Sequence, residues 1–219
     1  MSKQNISINK VVLSSFEPFK NLFAKLFLLA MTEAVFTTGF SYWRLGSIIA
    51  GPIIQAIIMV YAIYFIAKEL FNKDVEIGLK KIAGFLLLYL IVYATILLGF
   101  VFLIVPGIIM ILFFTYAYTF YLIGEFGILE SISKSFRLVW ENFLTTLKMY
   151  FVGFSLLVFV FMVTFIFNKI VESQDIKYLT RFITFLLGSV FTMYFNIVIL
   201  KVYGLLSPVT YKDSKKDSN

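Results

Sequence analysis

IAGFLLLYLIVYATILLGFVFLIVPGIIMILFFTYAYTFYL, residues Ile82–Leu122, is the stretch that decides the fold of this chain. It runs for forty-one residues without a charged side chain, whereas one helical crossing of a bilayer takes about 20. Such a run has to fold back on itself. Proline has no N–H to donate and glycine tolerates backbone shapes that other residues avoid, so Val105-Pro106-Gly107 is the expected apex of a helical hairpin. The two arms are then crossings at Ile82–Val105 and Ile108–Ile123.

The whole chain shares this character. Of its 219 residues, 61% are hydrophobic and 14% charged, with a mean hydropathy of +0.94, against about 45 to 50% and about 25% in an ordinary domain. A soluble fold of this length could not hide so much apolar surface. Cysteine and histidine are both absent, which excludes disulfides, thiolate nucleophiles, Cys/His zinc sites and imidazole proton transfer. Nor does the sequence carry a phosphate-binding glycine loop, a zinc-protease helix motif, a Gly-x-Ser-x-Gly elbow or hydrolase-type paired carboxylates. A non-enzymatic protein is therefore expected, with no catalytic residues, cofactor or metal. The net charge of +7 comes from lysines in short loops and tails between apolar runs, a pattern of membrane proteins and not of nucleic-acid binding.

Working outward from the hairpin, the pattern predicts an all-α integral membrane bundle of six spans. Residues 1–21 form a polar start and an interfacial helix, with Ile8, Val11, Val12, Phe16 and Phe19 on one side and a bend expected at Pro18. No cleavable signal is expected ahead of Leu22, for want of a small-residue cleavage site. The remaining spans are Leu22–Phe40, Ile48–Ala67 with a gentle break at Gly51-Pro52, Leu147–Phe167 and Phe182–Leu206; Trp43 is expected at headgroup depth. A lysine-rich tail, 207–219, ends the chain.

Between spans four and five the period changes. Ile128, Leu129, Ile132, Phe136, Val139, Trp140 and Phe143 alternate at three and four residues with Glu130, Ser131, Lys134, Ser135, Arg137, Glu141 and Asn142. That is a helix lying in the membrane surface, 128–143, apolar on one face and polar on the other. Its charges are spaced for local ion pairs, Glu130 with Lys134 and Arg137 with Glu141. The polar face suits either anionic headgroups or a membrane-protein partner, or serves only as a connector. Ser15-Phe16 with Asn21-Leu22-Phe23 echoes Ser135-Phe136 with Asn142-Phe143, which suggests an internal duplication.

Six spans put both termini on one side. That side holds fifteen lysines and arginines, and the other holds four, Arg44, Lys169, Lys177 and Arg181, so the termini are expected in the cytoplasm by the positive-inside rule. Within the bilayer Glu33 and Gln55 fall at one depth and are spaced to share a hydrogen bond, either as a proton- or cation-linked site or as a structural link between helices. Asn196 is a third candidate for a buried polar contact. Lys201 is expected to snorkel to the headgroups.

The segment Ile104-Val105-Pro106-Gly107-Ile108-Ile109, an aromatic-rich span ending near Glu125, and then Leu129-Glu130-Ser131-Ile132-Ser133-Lys134-Ser135-Phe136-Arg137-Leu138-Val139-Trp140 with Asn142-Phe143 resemble a group of prokaryotic polytopic membrane proteins. The group includes the DUF975 and YciC-like (UPF0259) proteins and the membrane domain attached to some glycerophosphoryl diester phosphodiesterases. Pro106, Gly107, Glu125, Glu130, Ser135, Arg137, Trp140 and Asn142 carry the shared pattern. The resemblance implies a protein of the bacterial inner membrane that associates with lipid or assists other proteins. It transfers no phosphodiesterase chemistry, since that reaction needs a soluble barrel with histidines. The alternative function is a small transporter with a polar site around Glu33.

Overall fold

The computed structural model describes residues 6–40, 44–170 and 174–207. Among these the chain is an all-α bundle. The helices are α1 (Ile8–Ser14), α2 (Phe16–Phe40), α3 (Arg44–Phe71), α4 (Leu79–Phe102), α5 (Ile104–Phe114), α6 (Ala117–Leu122), α7 (Ile128–Glu141), α8 (Phe143–Ile170) and α9 (Gln174–Leu206). Five stretches are long and apolar enough to cross a membrane: Phe16–Gly39, Gly51–Phe71, Leu79–Phe102, Ile104–Leu122 and Phe182–Leu206. The expected fifth span falls within α8, a continuous helix of 28 residues. Trp43 and the tail beyond Ser207 lie outside the described residues.

The hairpin turns one helical turn earlier than the Pro-Gly pair suggests. Leu103 alone is extended (φ −166°, ψ 152°), between the end of α4 and the start of α5. Pro106 and Gly107 lie in the first turn of α5, where a missing N–H costs nothing because those donors have no helical partner. Glycine serves packing here. A Cβ on Gly99 would lie 3.0 Å from the Gly107 Cα, and one on Gly107 would lie 2.6 Å from the Phe100 ring, so α4 and α5 touch backbone to backbone.

The other two breaks expected at prolines do not fall there either. The bend expected at Pro18 occurs at Ser15, and Pro18 sits in the first turn of α2. Pro52, expected to interrupt the second span, is inside the continuous α3. The fourth span, read as continuous, is divided at Thr115-Tyr116 into α5 and α6.

The core is aliphatic and aromatic. Leu26, Ile63, Ile66, Phe85, Leu122, Ile197 and Leu200 form its centre between α2, α3, α4, α6 and α9. A second cluster, with Ile8, Val11, Tyr116, Leu138, Val139, Met149 and Val202, gathers α1, α6, α7, the start of α8 and the end of α9 at one end of the bundle. The helices α1 and α7 are thus set into that end, below the level of a helix merely resting on it.

The two amphipathic helices join the helices after them alike, in a register other than that of the sequence echo. Ser15 joins α1 to α2 and Asn142 joins α7 to α8 through the same set of bonds. The Ser15 N–H donates to Val11 and Val12 carbonyls, and the Asn142 N–H to those of Leu138 and Val139. Ser15 Oγ donates to Val11 O at 2.8 Å and Asn142 Nδ2 to Leu138 O at 3.1 Å. Ser15 therefore corresponds to Asn142, and not to Ser135 as the sequence echo has it. In this register the buried positions Val11, Leu22 and Leu26 match the buried Leu138, Met149 and Gly153, while exposed Leu13 matches exposed Trp140.

Candidate functional site

The site is built around α7. Its inner face is formed by Ser131, Ser135, Leu138 and Val139, all buried. The two serines were expected on the polar side and point instead into the bundle. The reason lies in the divided fourth span. A break inside a membrane helix strands backbone groups that have no water to bond, and Ser135 takes up two of them: its Oγ accepts the Tyr116 N–H at 3.1 Å and donates to the Phe113 carbonyl at 2.6 Å. Thr115 Oγ1 donates to Leu112 O (2.7 Å) and lies in hydrogen-bond contact with Tyr150 Oη (3.1 Å), whose hydroxyl can donate to it, which ties the same break to α8.

The outer flank is open. Trp140 is 76% exposed and Leu129 79%, even though both were grouped with the apolar face. The helix has three faces, a buried one, an exposed apolar edge with Leu129 and Trp140, and a charged row. Trp140 is held in position by stacking near Phe113 (centroids 6.3 Å), which also stacks on Phe136 at 4.7 Å. In the charged row both expected pairs form, Lys134 to Glu130 at 3.6 Å and Arg137 to Glu141 at 2.9 Å. Lys134 also lies 4.1 Å over the Phe126 ring, a cation–π contact.

Glu125 and Asn142 bracket the helix. Glu125 takes a left-handed backbone (φ 59°) at the end of α6, a position glycine usually fills. It pairs with Lys73 at 3.3 Å, and Lys73 also donates to the Ile123 carbonyl at 2.7 Å. One lysine from the α3–α4 connection therefore caps α6 and holds the entry to α7. Sequence reading missed Lys73, because the loop that carries it is about fifty residues away and only tertiary packing joins them. Its cue was weak: an isolated cation in a loop.

The intramembrane candidates do not form one direct pair. Gln55 accepts a hydrogen bond from the Tyr89 hydroxyl at 3.0 Å, while the Glu33 carboxyl lies near the Ser189 side chain of α9. The Glu33 carboxyl lies within electrostatic reach of Tyr89, so α2, α3, α4 and α9 converge on Glu33, Gln55, Tyr89 and Ser189. Asn196 is buried but sits two turns along α9 from Ser189, about 10 Å by helical rise. Lys201 reaches the end of α1. Its Nζ donates to the backbone carbonyl and hydroxyl of Ser14, and the carbonyl is available because Pro18, four residues on, has no N–H to offer it.

Fold and site together define an all-α membrane bundle with a surface helix bolted to a divided span. No family model, curated protein or solved structure matches the chain.

Proposed function

We propose that this chain is a non-enzymatic integral protein of a bacterial cytoplasmic membrane, a scaffold or accessory module that works through the outer flank of α7. The observation that carries the reading is that α7 is fixed from behind by Ser135 and open in front at Leu129, Arg137 and Trp140. A helix so placed offers a rigid platform to anionic headgroups or to another membrane protein. The excess of lysine and arginine on one side supports cytoplasmic termini and contact with the anionic leaflet. The likeness of residues 104–143 to the polytopic families named above supports the same assignment.

The test is a photoreactive residue in place of Ser133, which is exposed on α7, in native membranes. Adducts to anionic lipid or to a discrete membrane protein are expected, and Trp140→Ala with Arg137→Gln should remove them. Adducts no different from those of a probe at lipid-facing Leu97 would refute the reading.

A second reading, a small transporter, is favoured by two observations: the Glu33, Gln55, Tyr89 and Ser189 convergence and the repeat, both frequent in transporters. Proteoliposomes holding a pH-sensitive dye would report proton entry that Glu33→Gln abolishes. Equal dye responses with and without the wild-type protein would dispose of the proton-coupled version.

A further inference from the structure

At the α7 end of the bundle α1 and α8 part to leave a groove of about 580 Å³, a size typical of small-molecule sites, which run from about 300 to 1,000 Å³. Its lining divides by chemistry. Ser7, Asn9 and Lys148 supply hydrogen-bonding groups and one cation, and Leu147, Phe151 and Val152 supply apolar surface. Lys148 is exposed and forms no ion pair with another described residue.

The apolar part continues beyond the groove. Leu144, Leu147, Phe151, Phe154, Val158 and Met162 are exposed at intervals of three and four, one stripe along α8. The helical rise from Leu144 to Met162 is about 27 Å, enough to pass one leaflet of a hydrocarbon core that is about 30 Å thick in all. A soluble anion would have no use for such a stripe. A neutral lipid would have no use for the cation.

The repeat shows how this groove differs from its counterpart. Lys148 corresponds to Asn21 in the first half, and Asn21 Nδ2 is already engaged by Glu69 Oε1 on α3 at 3.0 Å. In the second half the same position carries a cation turned to the seam between the repeats. We infer that this seam is a binding site for an anionic glycerophospholipid, with the phosphate at Lys148 Nζ, Ser7 and Asn9 offering hydrogen bonds, and an acyl chain lying along Phe151 and Phe154. The assignment makes the lipid part of the proposed function specific, and rests on it only for the leaflet in which the groove opens.

Native mass spectrometry of the full chain, released from detergent carrying equal phosphatidylglycerol and phosphatidylcholine, tests it. Wild type should retain phosphatidylglycerol preferentially, and Lys148→Gln should reduce that preference about fivefold, the effect of one basic residue near an anionic surface. Phe151→Ser should lower retention of both lipids, and Lys80→Gln, on an exposed lysine of α4, should change neither. Equal retention of the two lipids by wild type, an unaltered preference in Lys148→Gln, or displacement of the lipid by inorganic phosphate would each overturn the site. Thermal unfolding of each variant separates lost binding from lost folding. A failure of the Ser133 probe on α7 would leave these results unchanged, so the two readings fall separately.

Discussion

Ser135 completes the hydrogen-bond ladder of a helix to which it does not belong, its hydroxyl standing between the Tyr116 N–H and the Phe113 carbonyl of the divided fourth span. With Ser135 fully buried, its removal leaves a donor and an acceptor with no water to replace it. Ser135→Ala is therefore expected to cost about 2 kcal/mol, the penalty of unsatisfied buried polar groups, read as a lowered unfolding midpoint in detergent. An unchanged midpoint would mean that the break is satisfied without α7.

Glu125 offers a test of backbone against side chain. Its left-handed φ costs a residue with a Cβ roughly 1 to 2 kcal/mol, while its half-exposed ion pair with Lys73 contributes less than about 1 kcal/mol. Glu125→Gly should thus equal or exceed wild type in stability, and Glu125→Ala should fall below Glu125→Gly by about 1 kcal/mol. The opposite order would show that the Lys73 pair dominates.

The glycine contact between α4 and α5 leaves no space for a methyl group on Gly99, since the nearest atoms are Gly107 backbone. Backbone cannot swing aside as a side chain can. Gly99→Ala should lower stability by about 1 to 3 kcal/mol, whereas Gly39→Ala, with open space around it, should be neutral or slightly stabilising. Parallel melts of the two variants decide the matter.

Lys201 holds α1 by its Ser14 carbonyl, where a cation suits the negative end of a helix. Because the chain has no cysteine, a single Ile8→Cys reports whether α1 stays seated. Ile8 is buried, so maleimide labelling should be slow in the parent and several-fold faster when Lys201→Met is added. Equal rates would mean that α1 is held by Val11 and its neighbours alone.

Orientation is open to the same chemistry. With cytoplasmic termini, an impermeant maleimide added to intact cells should modify Glu172→Cys, between α8 and α9 in sequence, and leave Ser133→Cys untouched until the cells are opened. The reverse pattern would invert the topology. Ser133 is the suitable inner position, because Ser131 is buried, with its hydroxyl on the Phe126 carbonyl, and would be protected on either side.

Sequence by itself determined the class and most of the helices of this protein. Apolar runs long enough to span a bilayer can satisfy their backbone there only as helices, and the three-and-four spacing of Ile128 to Phe143 requires a helix at the surface. These are local properties of the chain, so they can be read locally. Where the helices end was less accessible. Pro18 and Pro106 are helix breakers by composition, yet each is placed in a first turn, where its missing N–H is harmless. The true breaks, at Ser15, Leu103 and Thr115-Tyr116, depend on what packs beside them.

Partnership was decided by tertiary structure alone. Ser135 reads as polar surface until the break in the fourth span supplies its two bonds. Glu33 and Gln55 share a depth in sequence, but a hydrogen bond needs heavy atoms within about 3 Å, and helix rotation turns Glu33 toward Ser189 and gives Gln55 the Tyr89 hydroxyl. Lys73 reaches Glu125 from a distant loop, and Lys201 takes the carbonyl that Pro18 leaves open. A pattern of residue types sets which groups must find partners in a membrane; the rotation and depth of each helix set which partners they find.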